Sequence, residues 1–243
     1  MGGSQLLAQR IAASLGDSVI LSAPVRKIET DADGDSITVT ADGHTVHARR
    51  VIVAIAPALA ARIQYEPKLT TPRAQFLQRY PMGSLIKVEA VYHQPFWRKA
   101  GLSGQSVLGP GPVRSTFDNT PPSGHPGIII GFVGGSRSRH WPFLSEAERR
   151  SQALANFAAV LGDDEAFHPI EYFEFNWPGE EWSRGGPVGY AGPGVLHDYA
   201  TTLRAPVGPI HWAGTETATF WNGYMEGAVQ AGERAAREVI DSL

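Results

Sequence analysis

Two Asp-Gly pairs, Asp33-Gly34 and Asp42-Gly43, separate three short runs of strand character at 24–30, 35–40 and 44–48. Asp-Gly between alternating residues marks a tight hairpin, because both turn positions need positive φ. The pattern predicts an antiparallel meander. Immediately after it comes Val51-Ile52-Val53-Ala54-Ile55, an unbroken apolar run of the kind buried on both faces of an α/β sheet. A meander feeding such a strand constrains the chain to a mixed α/β (α+β) architecture.

The flanking segments agree. Ser4 is placed to cap a helix whose Leu7, Ile11 and Leu15 share one face and which Gly16 ends. Residues 19–21 read as a short strand, and Pro57 opens a short helix over 58–63. The middle of the chain reads as its own layer of sheet and helix. Strands are predicted at 85–93, 128–133 and 169–176, with a Gly- and Pro-rich stretch at 104–127. Ser145 with Glu148 three residues on is a capping box for a helix reaching about 161. The last part holds a Gly-rich loop, a strand at 209–213 and a long helix over 224–240.

Composition narrows the function classes. Of 243 residues, 42% are hydrophobic and 19% charged, a balance able to bury a core. A net charge of -3 gives no basis for a nucleic-acid or anionic-membrane partner. The absence of cysteine excludes disulfides, thiolate chemistry and any sulfur-linked cofactor. The eight histidines show no metal-ligand spacing. The longest apolar stretch, 51–61, contains Pro57 and is too short to span a bilayer, and the first residues lack a signal-peptide pattern. These features set the expectation of a soluble, cytoplasmic protein with no membrane partner and no metal.

The chemistry concentrates near the C-terminus, in Ala213-Gly214-Thr215-Glu216-Thr217 and Trp221-Asn222-Gly223-Tyr224-Met225-Glu226-Gly227-Ala228. This reads as strand, Gly-containing turn, acid, helix start. A helix N-terminus offers free N–H groups and partial positive charge to a ligand edge that develops negative charge. Glu216 is placed to accept from cofactor hydroxyls. Two rows of small residues, Gly227, Ala231, Ala235 and Ala228, Gly232, Ala236, allow close packing. An ordinary strand–turn–helix with a packed small-residue face fits the same letters. Lys87 lies on a strand between Ile86 and Val88, where it reads as a snorkelling edge residue. The group Arg137, Arg139, Arg149 and Arg150 reads as solvated surface.

Residues 213–236 resemble the C-terminal signature of the flavin-containing amine oxidases of the monoamine oxidase family. The likeness continues through Gly2-Gly3-Ser4, Leu15-Gly16-Asp17, Pro24-Val25, 51–57, Pro81-Met82-Gly83-Ser84-Leu85-Ile86-Lys87, Pro95-Phe96-Trp97-Arg98 and Phe175-Asn176-Trp177. The resemblance implies an FAD-dependent oxidoreductase that deaminates a primary or secondary amine and reduces O2 to H2O2. An amino acid, a polyamine or a porphyrinogen is an alternative substrate. The implied cofactor contacts are Val25, Trp177, Gly214, Thr215, Glu216, Gly223, Tyr224 and Met225. Lys87 would serve the flavin N5 side, and Tyr224 would be one wall of an aromatic cage for the amine. The position of the family's flavin-linking cysteine falls on Gly186, so FAD would be held non-covalently. The second cage position falls on Pro187, which leaves the cage one-sided unless Trp182 or Tyr190 leans in.

The family's opening strand–G-x-G-x-x-G–helix unit has no counterpart here. Gly109-Pro110-Gly111 and Gly192-Pro193-Gly194 come nearest, and their prolines remove N–H groups that such a turn needs. The implied fold is therefore part of a Rossmann-like FAD-binding domain, 1–64 and 177–243, around a mixed-sheet substrate domain, 65–176. The N-terminal nucleotide-binding βαβ unit is expected to be missing, with nothing supplied for the diphosphate. A truncated, non-catalytic fragment, or one chain of a split enzyme partnered by a separate N-terminal half, is the second reading.

Overall fold

The computed structural model describes residues 3–107 and 111–243. The expectations placed on Gly2, Gly109 and Pro110 lie outside the described residues. The chain runs α1 (Gln5–Leu15), β1 (Val25–Thr30), β2 (Ile37–Ala41), β3 (His44–Ala48), β4 (Val51–Val53), α2 (Pro57–Ala60), β5 (Gln64–Glu66) and α3 (Thr71–Gln78). It continues through β6 (Leu85–Tyr92), β7 (Ser106–Val107), β8 (Val113–Asp118), β9 (Gly127–Gly134), α4 (Ser136–His140), α5 (Glu146–Leu161) and β10 (Glu171–Asn176). It ends with α6 (Val195–Tyr199), β11 (Ile210–Trp212) and α7 (Met225–Asp241).

Three sheets result among the described residues. The meander forms, in the order β3-β2-β1, and β5 adds to it parallel to β1. At both Asp-Gly pairs only the glycine takes positive φ, 76° at Gly34 and at Gly43, because the asparate-side position stays in the ordinary region. The first turn is instead fixed by Asp31, whose carboxylate accepts from the Asp35 N–H and the Ser36 hydroxyl. The middle sheet, in the order β10-β6-β9-β8-β7, is antiparallel throughout. The third is a parallel pair, β11-β4.

Each core follows from its alternation. On β6, Ile86, Val88, Ala90 and Tyr92 point into a cluster with Trp97, Val113, Ile129, Val133 and the α5 residues Leu154 and Phe157. The Ser145 capping box that starts α5 is formed in full, and Gly162 closes it in a left-handed conformation. A second cluster joins Ile28 and Ile37 to Val53, Tyr65, Phe76, Leu77, Tyr80, Leu203, Ile210 and Trp212.

Several expectations are corrected. Ser4 precedes α1 but makes no side-chain cap bond, since its own backbone is already helical. Leu7, Ile11 and Leu15 all stay exposed. Residues 19–21 form no strand. The run 51–55 yields only the three-residue β4, and Ile52 and Ile55 are exposed rather than buried. Among the described residues β4 pairs only with β11, so one edge and one face have nothing to pack on. The helix after Pro57 stops at Ala60. Of the two small-residue rows on α7, only Gly227, Ala231 and Ala235 are buried. Arg149 is not free surface: it bonds Glu174 at 2.7 Å and the Leu144 carbonyl at 2.7 Å.

Candidate functional site

The site starts where β11 leaves its sheet. The Ala213 N–H donates to the Val53 carbonyl at 2.9 Å, then Gly214 turns the chain at φ 94°. A single 3-10 turn, Thr215–Thr217, follows. Thr215 Oγ1 accepts from the Gly223 N–H at 2.7 Å and donates to the Tyr224 carbonyl at 2.9 Å, tying the turn to the start of α7. Gly227 is required in the first turn of α7, because a Cβ there would lie 2.2 Å from the Trp221 carbonyl oxygen.

Glu216 sits inside this turn, only 4% exposed. Burial pushes its carboxyl above the ordinary value, against the opposing pull of the Glu216 and Gly189 backbone N–H groups. Tyr80 is raised by burial and then by the negative charge of Glu216. Tyr224, the residue before α7, brings no side-chain oxygen to the first-turn N–H groups. Its ring is exposed and stands edge-on to Trp221, centroids 5.3 Å apart. Met225 is exposed beside it.

One segment, 185–190, gathers the rest. The Gly83 N–H donates to the Val188 carbonyl and the Gly186 N–H to the Gly83 carbonyl, each at 2.8 Å. This stitch admits no side chain: a Cβ on Gly185, at φ 145°, would lie 2.2 Å from the Gly83 oxygen, and one on Gly83 would lie 2.5 Å from the Gly186 oxygen. Gly186 itself is roomier, its nearest neighbour being Trp177 at 3.7 Å. Val188 packs under Gly223. Pro187 is exposed. The strand that bears Lys87 is thus bound to the segment that reaches both Glu216 and Gly223.

Lys87 lies on the open face of the middle sheet, opposite the core. Its strand is central, between β10 and β9, which removes the edge-residue reading. Its ammonium pairs with Glu89 at 2.8 Å. Phe175 and Phe132 flank it across the ladder, and Phe175 meets Trp177 at a 60° tilt with centroids 4.4 Å apart. Trp182 does not stand free to complete a cage, since Arg26 and Arg62 lie over its ring at 5.7 and 5.3 Å. Tyr190 is exposed.

Sequence reasoning missed Glu89, Val188 and Gly189, and quoted Phe175 without placing it beside Lys87. Alternation along 171–176 could have placed Phe173 and Phe175 on one face; nothing local points to Val188 or Gly189. Val25 falls in a groove of about 840 Å³ lined by 20–26, 51–55 and Trp182. The groove meets the Glu216 turn at Ile55, whose carbonyl oxygen would lie 3.7 Å from a Cβ on Gly214. No group of metal-ligating side chains occurs among the described residues. None of their helices is long and apolar enough to cross a membrane.

These residues fit a flavin dinucleotide. An apolar trough leads to a buried acid able to meet hydroxyls, and an uncapped helix start stands beside exposed aromatic rings. They mark a flavin-binding protein of mixed α/β fold. The family model for flavin containing amine oxidoreductases matches residues 1–240, and the chain belongs to that family, whose cofactor is FAD. It is 46% identical over 242 residues to AofH of Mycobacterium tuberculosis, named as a flavin-containing monoamine oxidase, covering 100% of this chain and 52% of that protein. A putrescine oxidase structure bound to putrescine superposes with TM-score 0.95 at 38% identity, over 99% of this chain and 53% of that one. Cyclohexylamine oxidase from Brevibacterium oxydans gives 0.93 at 37%, over 99% and 53%. The chain spans about half the length of the relatives it matches.

Proposed function

We propose that this chain forms the flavin- and substrate-facing part of an FAD-dependent amine oxidase acting on a primary or secondary amine. The carrying observation is the turn at 213–217, which buries Glu216 and delivers an exposed Tyr224 at an uncapped helix start. When bound, the flavin would supply the redox chemistry: conversion of the amine to an imine releases two electrons and two protons, and O2 would take up both pairs as H2O2. Hydrolysis of the imine then releases the amine nitrogen.

The chain's own residues bind and orient. Glu216, with Gly214 and Thr215, accepts cofactor hydroxyls. Gly223, Tyr224 and Met225 turn backbone N–H groups toward a carbonyl edge. Trp177 packs against the ring system, and Val25 meets the adenine end of the groove. Lys87 holds a cationic donor on the open face, kept in place by Glu89. The Tyr224 ring face receives the substrate ammonium, with Pro187 opposite supplying no second ring. Attachment is non-covalent, because the chain has no cysteine and Gly186 occupies the linking position.

Segments 1–64 and 177–243 are proposed as the FAD lobe and 65–176 as the substrate lobe. Tyr65, Phe76, Leu77 and Tyr80 carry the second cluster beyond position 64. The exposed Ile52 and Ile55 favour a second possibility, a fragment or one chain of a split flavoenzyme completed by an N-terminal half. Co-expression with the N-terminal half of AofH tests the main reading. A yellow complex producing peroxide from an amine panel that includes putrescine and cyclohexylamine is expected. A complex that binds FAD and oxidises no amine, amino acid or polyamine would refute it.

A further inference from the structure

The turn that carries Glu216 is held from outside. The Gly214 and Thr215 carbonyls accept from backbone N–H groups, but those of Trp212, Glu216, Thr217 and Ala218 accept from side chains. Arg234 Nη2 donates to the Trp212 carbonyl at 2.6 Å and to Thr217 Oγ1 at 3.0 Å. Arg204 donates through Nε to the Thr217 carbonyl at 2.6 Å and through Nη2 to the Ala218 carbonyl at 3.0 Å. Asn222 Nδ2 donates to the Glu216 carbonyl at 3.0 Å. Arg234 is itself aimed by Glu238, Nη1 to Oε1 2.5 Å, and Glu238 also faces His211 Nδ1 at 3.3 Å.

The turn is therefore gripped by guanidinium groups from two elements, the loop at 204 and the middle of α7. A planar fork that serves two acceptors in fixed directions is a task lysine cannot share. We propose that Arg204 and Arg234 are positioning residues for Glu216, fixing the backbone on either side of it so that its carboxyl is presented, buried, to the flavin. This rests on the reading of Glu216 as a flavin contact. The guanidinium groups bond the backbone and Thr217 rather than the carboxyl itself; what faces the carboxyl are the Gly189 and Glu216 N–H groups and Tyr80.

The test needs no bound flavin. The 243-residue chain is labelled at its glutamate carboxyls, and the Glu216 signal is assigned by loss in Glu216→Gln and followed against pH. Arg204→Gln and Arg234→Gln should each let water reach the carboxyl and lower its titration midpoint by roughly one pH unit. Arg237→Gln, on an exposed pair, should leave the midpoint unchanged. A merely structural role predicts a lower melting temperature with the Glu216 midpoint unmoved, and that result overturns the proposal, as does an ordinary midpoint in the wild type. Should a Gln variant fail to fold, the Lys variant at the same position is read instead, because it keeps the charge and loses the fork. Titrating FAD into reconstituted wild type and Glu216→Gln separates the two layers: equal affinity refutes the flavin contact without touching the clamp.

Discussion

The middle sheet and the β11–β4 pair are built from similar letters and reach different ends. On β6 every second side chain is buried, α5 covers that face, and Trp97, Val88 and Phe157 are fully enclosed. On β4 the same kind of apolar strand leaves Ile52 37% exposed, and the stripe of α1 is more than half exposed at Leu7, Ile11 and Leu15. One region is held by interdigitated apolar packing. The other adds directed bonds to the packing of Val53, Ile210 and Trp212: Arg73 stacks on Trp212 at 4.2 Å and donates to the Thr202 and Ala205 carbonyls, while Arg204 and Arg234 grip the turn. Apolar packing fixes the middle sheet, and arginine bonds fix the turn after β11.

The largest expected effect breaks the packed region. Trp97→Ala removes a fully buried ring and its Nε1 bond to Asp118 at 2.8 Å, and should cost about 3–5 kcal/mol in chemical denaturation. Ile52→Ser on the open strand should cost under about 1 kcal/mol and reduce self-association, read by light scattering. Equal losses at the two positions would erase the contrast.

A smaller effect sharpens the stitch between the regions. Gly185→Ala meets both a positive φ and the Gly83 oxygen, and should destabilise by about 1–3 kcal/mol. Gly186→Ala, one residue on, finds ordinary contact distances and should change melting temperature little.

The smallest effect is on pH, and the two regions should respond with opposite sign. Burial would raise Asp118, but bonds from Arg98, Thr120 and Trp97 hold it at about 2. Its contribution is present above the ordinary aspartate value and lost as pH falls toward 2. Glu216 is raised, so its contribution is complete below the ordinary glutamate value and lost as pH rises through its higher folded value. Denaturation midpoints of Asp118→Asn and Glu216→Gln across pH 2–8 should flatten the acid and the upper limb respectively.

What was legible in the sequence follows the same division. The Ser145 capping box, the strands 85–93 and 128–133, and the Gly turns were readable because each is decided by neighbours in the chain. The run 51–55 misled because a continuous apolar strand states a need for two covered faces without saying what covers them. Glu216 was readable from its place in the turn before the helix, while the roles given to Lys87 and Tyr224 came through resemblance. The Gly83–Gly185 stitch, the Gly189 N–H near Glu216 and the grip of Arg204 were not legible, since they join positions far apart in sequence.

The central claim is that this chain presents a flavin to an amine. Its most direct test is the visible spectrum of the protein reconstituted with a relative's N-terminal half, recorded without oxygen before and after adding amine. The account predicts a bound-flavin spectrum that bleaches on amine addition and returns on admitting air, with bleaching slowed in Tyr224→Ala and all flavin released by acid. A bound flavin that no amine bleaches would contradict it.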